Sequence, residues 1–189
     1  IFPGESADIN KTVTTPEIPP KPDIYFLADT TGSMYSVINQ VKIDAAATLA
    51  TIAGQTTDPR FGAGDYKDFP YDTYAYNNAA SIPAADDAGA AALAAIGFWS
   101  AGGGYDGSEG QFYALDQIAN GVVNWRADST KIVVWFGDAP AHDPVCQAIS
   151  GLGYDITEAS LTAALVAAEI RVVAISTTTG FPAALDDDP

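Results

Sequence analysis

Two aspartates in this sequence close apolar runs, and a glutamate follows a glycine-rich loop. Asp29 ends Asp23-Ile24-Tyr25-Phe26-Leu27-Ala28, Asp138 ends Lys131-Ile132-Val133-Val134-Trp135-Phe136-Gly137, and Glu109 comes soon after Gly102-Gly103-Gly104. Hydroxyls stand two and four residues after the first aspartate, in Asp29-Thr30-Thr31-Gly32-Ser33, where a turn at Gly32 would bring Thr31 and Ser33 toward a common point. Three carboxylates delivered to one edge repel one another unless protons or a cation neutralise them. Donors that are all oxygen suit a hard cation, magnesium or calcium, that keeps part of its water. Singly, each residue also has a structural role: Thr31 or Ser33 as a helix N-cap, Glu109 at the start of its own helix, Asp138 in a turn. Their joint arrival at predicted strand ends favours a shared ligand.

Those strand ends depend on the surrounding pattern. Residues 23–28, 131–136 and 170–175 are continuous apolar runs suited to strands covered on both faces. Residues 60–66 predict a further strand, and residues 73–76 one at the sheet edge. Helical spacing recurs at Val37, Val41, Ala45, Leu49 and Ile52, and again at Leu161, Leu165 and Ala168 within residues 157–169. The alanine-rich residues 84–99 predict a helix, with Asp86 and Asp87 near its start, where carboxylates suit the macrodipole. Another helix is expected from about residue 108 to 120, stopped at Gly121. Strands alternating with helices predict an α/β fold: a doubly wound, mostly parallel sheet with helices on both faces. Ligands of such sheets bind beyond the carboxyl ends of the strands, where Asp29 and Asp138 fall. Residues 1–22, with Pro3, Pro16, Pro19, Pro20 and Pro22, predict an extended linker segment, and residues 23–189 the domain.

Composition narrows the function classes. A chain of 189 residues, 48% apolar, fits one ordinary domain with a real core. Acidic residues outnumber basic ones 24 to 8, a net charge of −16 that disfavours nucleic acid and anionic membranes and favours cations and basic partners. The same charge also serves plain solubility. One cysteine, Cys146, excludes an internal disulfide framework and a multi-cysteine zinc site. No apolar run is long enough for a transmembrane helix, and the start carries no signal-peptide pattern, so the sequence reads as a segment of a larger, multidomain chain. There is no phosphate-cradling Gly-Lys-Ser/Thr loop and no nucleophile elbow, and Cys146 lacks a catalytic partner other than His142. Binding without catalysis is therefore expected. A metal-dependent hydrolase or phosphotransferase, and a surface module whose cation only stabilises the fold, are the alternatives.

The same segments resemble the von Willebrand factor A domain family, in particular the integrin β-subunit I-like domain and bacterial integrin-like surface proteins. Asp29-Thr30-Thr31-Gly32-Ser33-Met34 resembles the family's Asp-x-Ser-x-Ser metal-ion-dependent adhesion site, with Thr31 for the first serine. Residues 60–70 resemble the integrin β second-strand segment. Gly104-Tyr105-Asp106-Gly107-Ser108-Glu109-Gly110 resembles its acidic loop, and residues 134–142, with Asp138-Ala139 and His142, its fourth-strand segment. The resemblance runs in order over about residues 23–176. It implies that Thr31, Ser33 and Glu109 contact Mg2+ or Mn2+ directly, with Asp29 and Asp138 nearby or bridged by water. The open coordination position would take an acidic group from a protein or other macromolecular ligand. It also maps Asp68, Asp106, the Ser108 carbonyl and Glu109 onto a second site, usually for Ca2+, in which Gly104 replaces an asparagine. His142, the one histidine, offers a metal ligand or a base by its chemistry, but its place four residues past a strand end favours the outer shell or packing. The aspartates of a third site are Ser36 and Val37 here, so that site is expected to be absent. Family members continue with a sixth strand and a final helix, for which thirteen residues remain after Ser176. A secreted or cell-surface location is implied as well.

Overall fold

Side chains of the first strand alternate between two cores. The computed structural model describes residues 21–68 and 72–177. Within it β1 (Pro22–Asp29) is buried along its whole length. Successive side chains of a strand point to opposite faces. Ile24, Phe26 and Ala28 accordingly pack with Val41, Ala45 and Leu49 of α1 (Ile38–Gln55) and with Ala92, Ala95 and Ile96 of α2 (Ala90–Phe98). Tyr25 and Leu27 pack on the other face with Phe112, Leu115 and Ile118 of α3 (Gln111–Ala119) and Leu161 of α5 (Glu158–Ala167). A strand apolar on both faces needs cover on both, and this sheet has it.

The other strands are β2 (Arg60–Tyr66), β3 (Tyr76–Ala80), β4 (Thr130–Gly137) and β5 (Ile170–Ser176), and the five strands lie in the order β3-β2-β1-β4-β5. Only β3 is antiparallel; β2, β1, β4 and β5 run parallel. This is the doubly wound, mostly parallel α/β sheet expected from the sequence. Chain order reverses at β1, which sits between β2 and β4, so the carboxyl ends of β1 and β4 border a topological switch point.

Three local expectations change. The edge strand covers residues 76–80 rather than 73–76; before it, the Asp72 carboxylate holds the Gly104 backbone and the Tyr74 hydroxyl goes to Asp65. The alanine-rich helix begins at Ala90, not near residue 84. Ala88 and Gly89 have φ of 54° and 77°, in the left-handed region that a helix cannot use. Asp86 and Asp87 sit before the helix and accept the N–H groups of Ala88, Gly89 and Ala91. Pro22, expected in the linker, already pairs with Thr130 in the sheet. The rest of that linker falls on residues 1–20, and any sixth strand on residues after Thr177; both lie outside the described residues. A short helix α4 (Gln147–Ser150) was not expected.

The end of the sheet opposite Asp29 is tied by Asp23. Its buried carboxylate accepts the Arg126 backbone N–H and Nε at 2.7 Å and Ser129 Oγ at 2.8 Å, while Arg126 also reaches Asp58 at 2.8 Å. Breaking a buried pair from one side leaves its partner's charge uncompensated and costs about 3–5 kcal/mol. Arg126→Ala is therefore expected to lower the unfolding free energy measured in urea by an amount in that range, yet leave divalent-cation affinity within about twofold, because the clamp lies at the far end of β1.

Candidate metal centre

Because β1 and β4 run parallel with Ala28 opposite Phe136, Asp29 and Asp138 emerge side by side at one edge. Asp29 Oδ1 accepts both the backbone N–H and the hydroxyl of Thr31 at 2.7 Å, which closes the turn after the strand. Ser33, on the 3-10 turn Gly32–Ser36, donates its hydroxyl to Asp138 Oδ1 at 2.8 Å. The two hydroxyl oxygens are 3.2 Å apart. A hydroxyl has a single proton, so once Asp29 and Asp138 take these two, lone pairs of Thr31 and Ser33 face each other. Adjacent ligands of an octahedral Mg2+ at its usual bond length stand about 3.0 Å apart, close to this spacing.

Glu109 reaches the same point from a third segment. Its N–H donates to the Pro140 carbonyl at 2.8 Å and its carbonyl accepts the His142 N–H at 3.1 Å, so residue 109 is bridged to the chain just after β4. Its side chain lies against Thr31 and Gly104. A Cβ added at Gly104, whose φ is +71°, would stand 2.9 Å from both Glu109 Oε1 and Thr31 Cβ, so only glycine fits. Glu109 Oε2 is buried and has no hydrogen-bond partner. All five residues expected from the sequence, Asp29, Thr31, Ser33, Glu109 and Asp138, thus converge.

The electrostatics follow from burial. Asp29 is pushed up to about 7, chiefly by loss of water; hydrogen bonds from Thr31 oppose the shift and the charge of Asp138 adds to it. Glu109 is pushed up to about 9, again by burial first and then by Asp29; a hydrogen bond with Thr31 opposes the shift, and Asp68 and Asp138 add to it. A cation among these groups would offset the repulsion and give the orphaned Oε2 a partner. Two hydroxyls and a carboxylate, held from behind by two more carboxylates, can hold Mg2+ or Mn2+.

Several supporting residues were not anticipated. Lys67 donates to the carbonyls of Thr30 and Gly102, and the Gly102 N–H returns to Thr30 at 3.0 Å, which locks the glycine loop onto the serine motif. Asp72 Oδ2 accepts the Gly104 N–H at 2.9 Å and the Asp68 N–H at 3.3 Å. Tyr66 receives the Trp135 indole N–H at 3.0 Å and points its own hydroxyl at Asp29 Oδ2, 3.4 Å away. The one sequence signal for Lys67 is its place in the 60–70 segment; Asp72 carries none.

The second expected set comes together in part. Asp68 is buried, and its Oδ1 lies 2.8 Å from His142 Nε2, which is 3.7 Å from Asp106 Oδ1. One donor atom from each of these three residues falls within a span of 4.8 Å. Ser108 contributes its backbone N–H to Asp106 Oδ1 at 3.0 Å. Glu109 stands between the two groups, coupled by charge to Asp29 and Asp138 on one side and to Asp68 on the other. At the positions of the third site, Ser36 is exposed and Val37 half-buried.

No family model matches the chain. Over 122 residues, 64% of its length, it is 31% identical to the alpha-protein kinase vwkA of Dictyostelium discoideum, and it spans only 19% of that protein. In structure it is similar to the pilus adhesin SpaC of Lactobacillus rhamnosus GG, with a TM-score of 0.56 and 16% identity over 82% of this chain and 24% of the adhesin. A likeness at that identity concerns the fold.

The raised carboxyls set a pH dependence. Asp29 and Glu109 hold their protons more tightly in the folded protein than at their ordinary values of 3.8 and 4.5. Their contribution to stability is full below those values and is lost as the pH rises through about 7 and then about 9. The melting temperature of metal-free protein should therefore fall between about pH 5 and about pH 9. Saturating Mg2+ should flatten the slope, because it stabilises the ionised forms, and Glu109→Gln should remove the upper part of it. A metal-free melting temperature that climbs across this window contradicts the assignment.

Proposed function

We propose that this chain is a von Willebrand A-type domain of the integrin β-like kind, in which Thr31, Ser33 and Glu109 bind Mg2+ or Mn2+ directly. Asp29 and Asp138 orient the two hydroxyls and add charge. The ion's open position then receives a carboxylate from a protein or other macromolecular partner, so the domain works in adhesion or ligand binding rather than turnover.

One observation carries this reading. Two hydroxyls have their protons drawn away by Asp29 and Asp138, and they stand beside a buried glutamate whose Oε2 has no partner. Such an arrangement is costly without a cation and satisfied with one. The net charge of −16 adds a further reason for metal, since an approaching carboxylate would otherwise meet repulsion. A secreted or cell-surface setting within a longer chain agrees with the fold shared with a pilus adhesin. No helix among the described residues is long and apolar enough to cross a membrane.

Mn2+ offers a direct test, because water bound to it relaxes solvent protons. The protein should bind Mn2+, and Asp138→Ala should weaken that binding at least tenfold while circular dichroism stays unchanged. Among short peptides with a central aspartate, some should displace the bound water and lower the relaxation enhancement, whereas their asparagine counterparts should not. If Mn2+ binds but no acidic peptide displaces its water, the cation is structural only. If acidic peptides bind equally well after chelation, the metal has no part in recognition.

A further inference from the structure

His142 changes the character of the second cluster. We infer that Asp68, Asp106 and His142 form a separate metal site with mixed nitrogen and oxygen donors, selective for a transition-metal ion such as Zn2+ over Ca2+ or Mg2+.

Donor chemistry is the first argument. Calcium and magnesium take oxygen ligands, whereas an imidazole nitrogen suits zinc and its neighbours in the first transition row. Geometry is the second. Tetrahedral zinc ligands at their usual bond lengths stand about 3.3 Å from one another. The separations from His142 Nε2, 2.8 Å to Asp68 Oδ1 and 3.7 Å to Asp106 Oδ1, lie either side of that value. The two carboxylates, whose donor atoms lie within 4.8 Å of each other, close on an ion by turning the exposed Asp106 side chain toward Asp68.

The three ligands are also held in place before any ion arrives. The His142 backbone is pinned to Glu109 at 3.1 Å, Asp106 is fixed by the Ser108 N–H at 3.0 Å, and the Asp68 backbone is tied to Asp72 at 3.3 Å. Their side chains grade from closed to open: 0% exposed for Asp68, 27% for His142 and 47% for Asp106. Three protein ligands with one accessible side leave a fourth position for water or an incoming group. The competing account is an imidazole held between two carboxylates with no metal at all.

This inference does not rest on carboxylate recognition at the adhesion-type site, and the test keeps the two apart. The chain has one histidine, so in tag-free protein a single imidazole reports the site by NMR. With Mg2+ present in excess, one equivalent of Zn2+ should shift those resonances, while millimolar Ca2+ should not. Zn2+ affinity should fall at least tenfold in His142→Ala and in Asp106→Asn, the latter altering an exposed side chain that leaves folding intact. Asp138→Ala, which disables the other site, should still give the Zn2+-dependent imidazole shift. Resonances that stay fixed at one equivalent, or a His142→Ala protein that binds Zn2+ within about threefold of the parent, would establish the ion-pair account instead.

Discussion

Asp29, Glu109 and Asp138 are withdrawn from water at 0%, 4% and 2% exposure, close enough that Asp138 raises the cost of charging Asp29, and both raise that of Glu109. Like charges in a poorly hydrated place must be neutralised, and proteins do this with protons, basic side chains or metal ions. Here hydroxyls stand in front of two of the carboxylates and spend their protons on them, so their remaining lone pairs point at the same spot. This constraint sets the chemistry of the edge, a group of oxygen donors of the kind that suits a hard cation.

The sheet makes that concentration of charge possible. Parallel strands end together, and the reversal of chain order at β1 opens the space between the ends of β1 and β4. The core on both faces fixes those ends, and the Asp23–Arg126 clamp holds the opposite end of β1. Loops then close the site from outside. Gly32 N–H meets the Gly103 carbonyl at 2.8 Å, an approach that a side chain at Gly32 would block. Lys67 and Asp72 fasten the same glycine loop from the β2 side. The glycines at 103 and 104 have positive φ, so the loop that brings Glu109 to Thr31 needs residues free of a Cβ.

Much of this was legible in the residues themselves, for physical reasons. Apolar runs ending in aspartate mark buried strands and their carboxyl ends, so β1 and β4, and the convergence of Asp29 and Asp138 beyond them, could be read before any coordinates. What escaped were features decided by tertiary contact. Alanine propensity suggested a helix from residue 84, and the left-handed backbone of Ala88 delayed it to Ala90. Tyr74 looked like a strand residue but hydrogen-bonds Asp65 instead. Asp72 and Lys67 act on backbone groups of a distant loop, which no local pattern records. His142 read as packing or an outer-shell group because its partner, Asp68, is 74 residues away in sequence.

The central claim is that a divalent cation sits between the serine motif and Glu109. Crystals grown with Mn2+ and measured for anomalous scattering would test it most directly. The account requires a peak within about 2.1–2.4 Å of Thr31 Oγ1, Ser33 Oγ and a Glu109 carboxylate oxygen, a normal range for such bonds. Absence of that peak at saturating Mn2+, with Glu109 still buried and unligated, would contradict it.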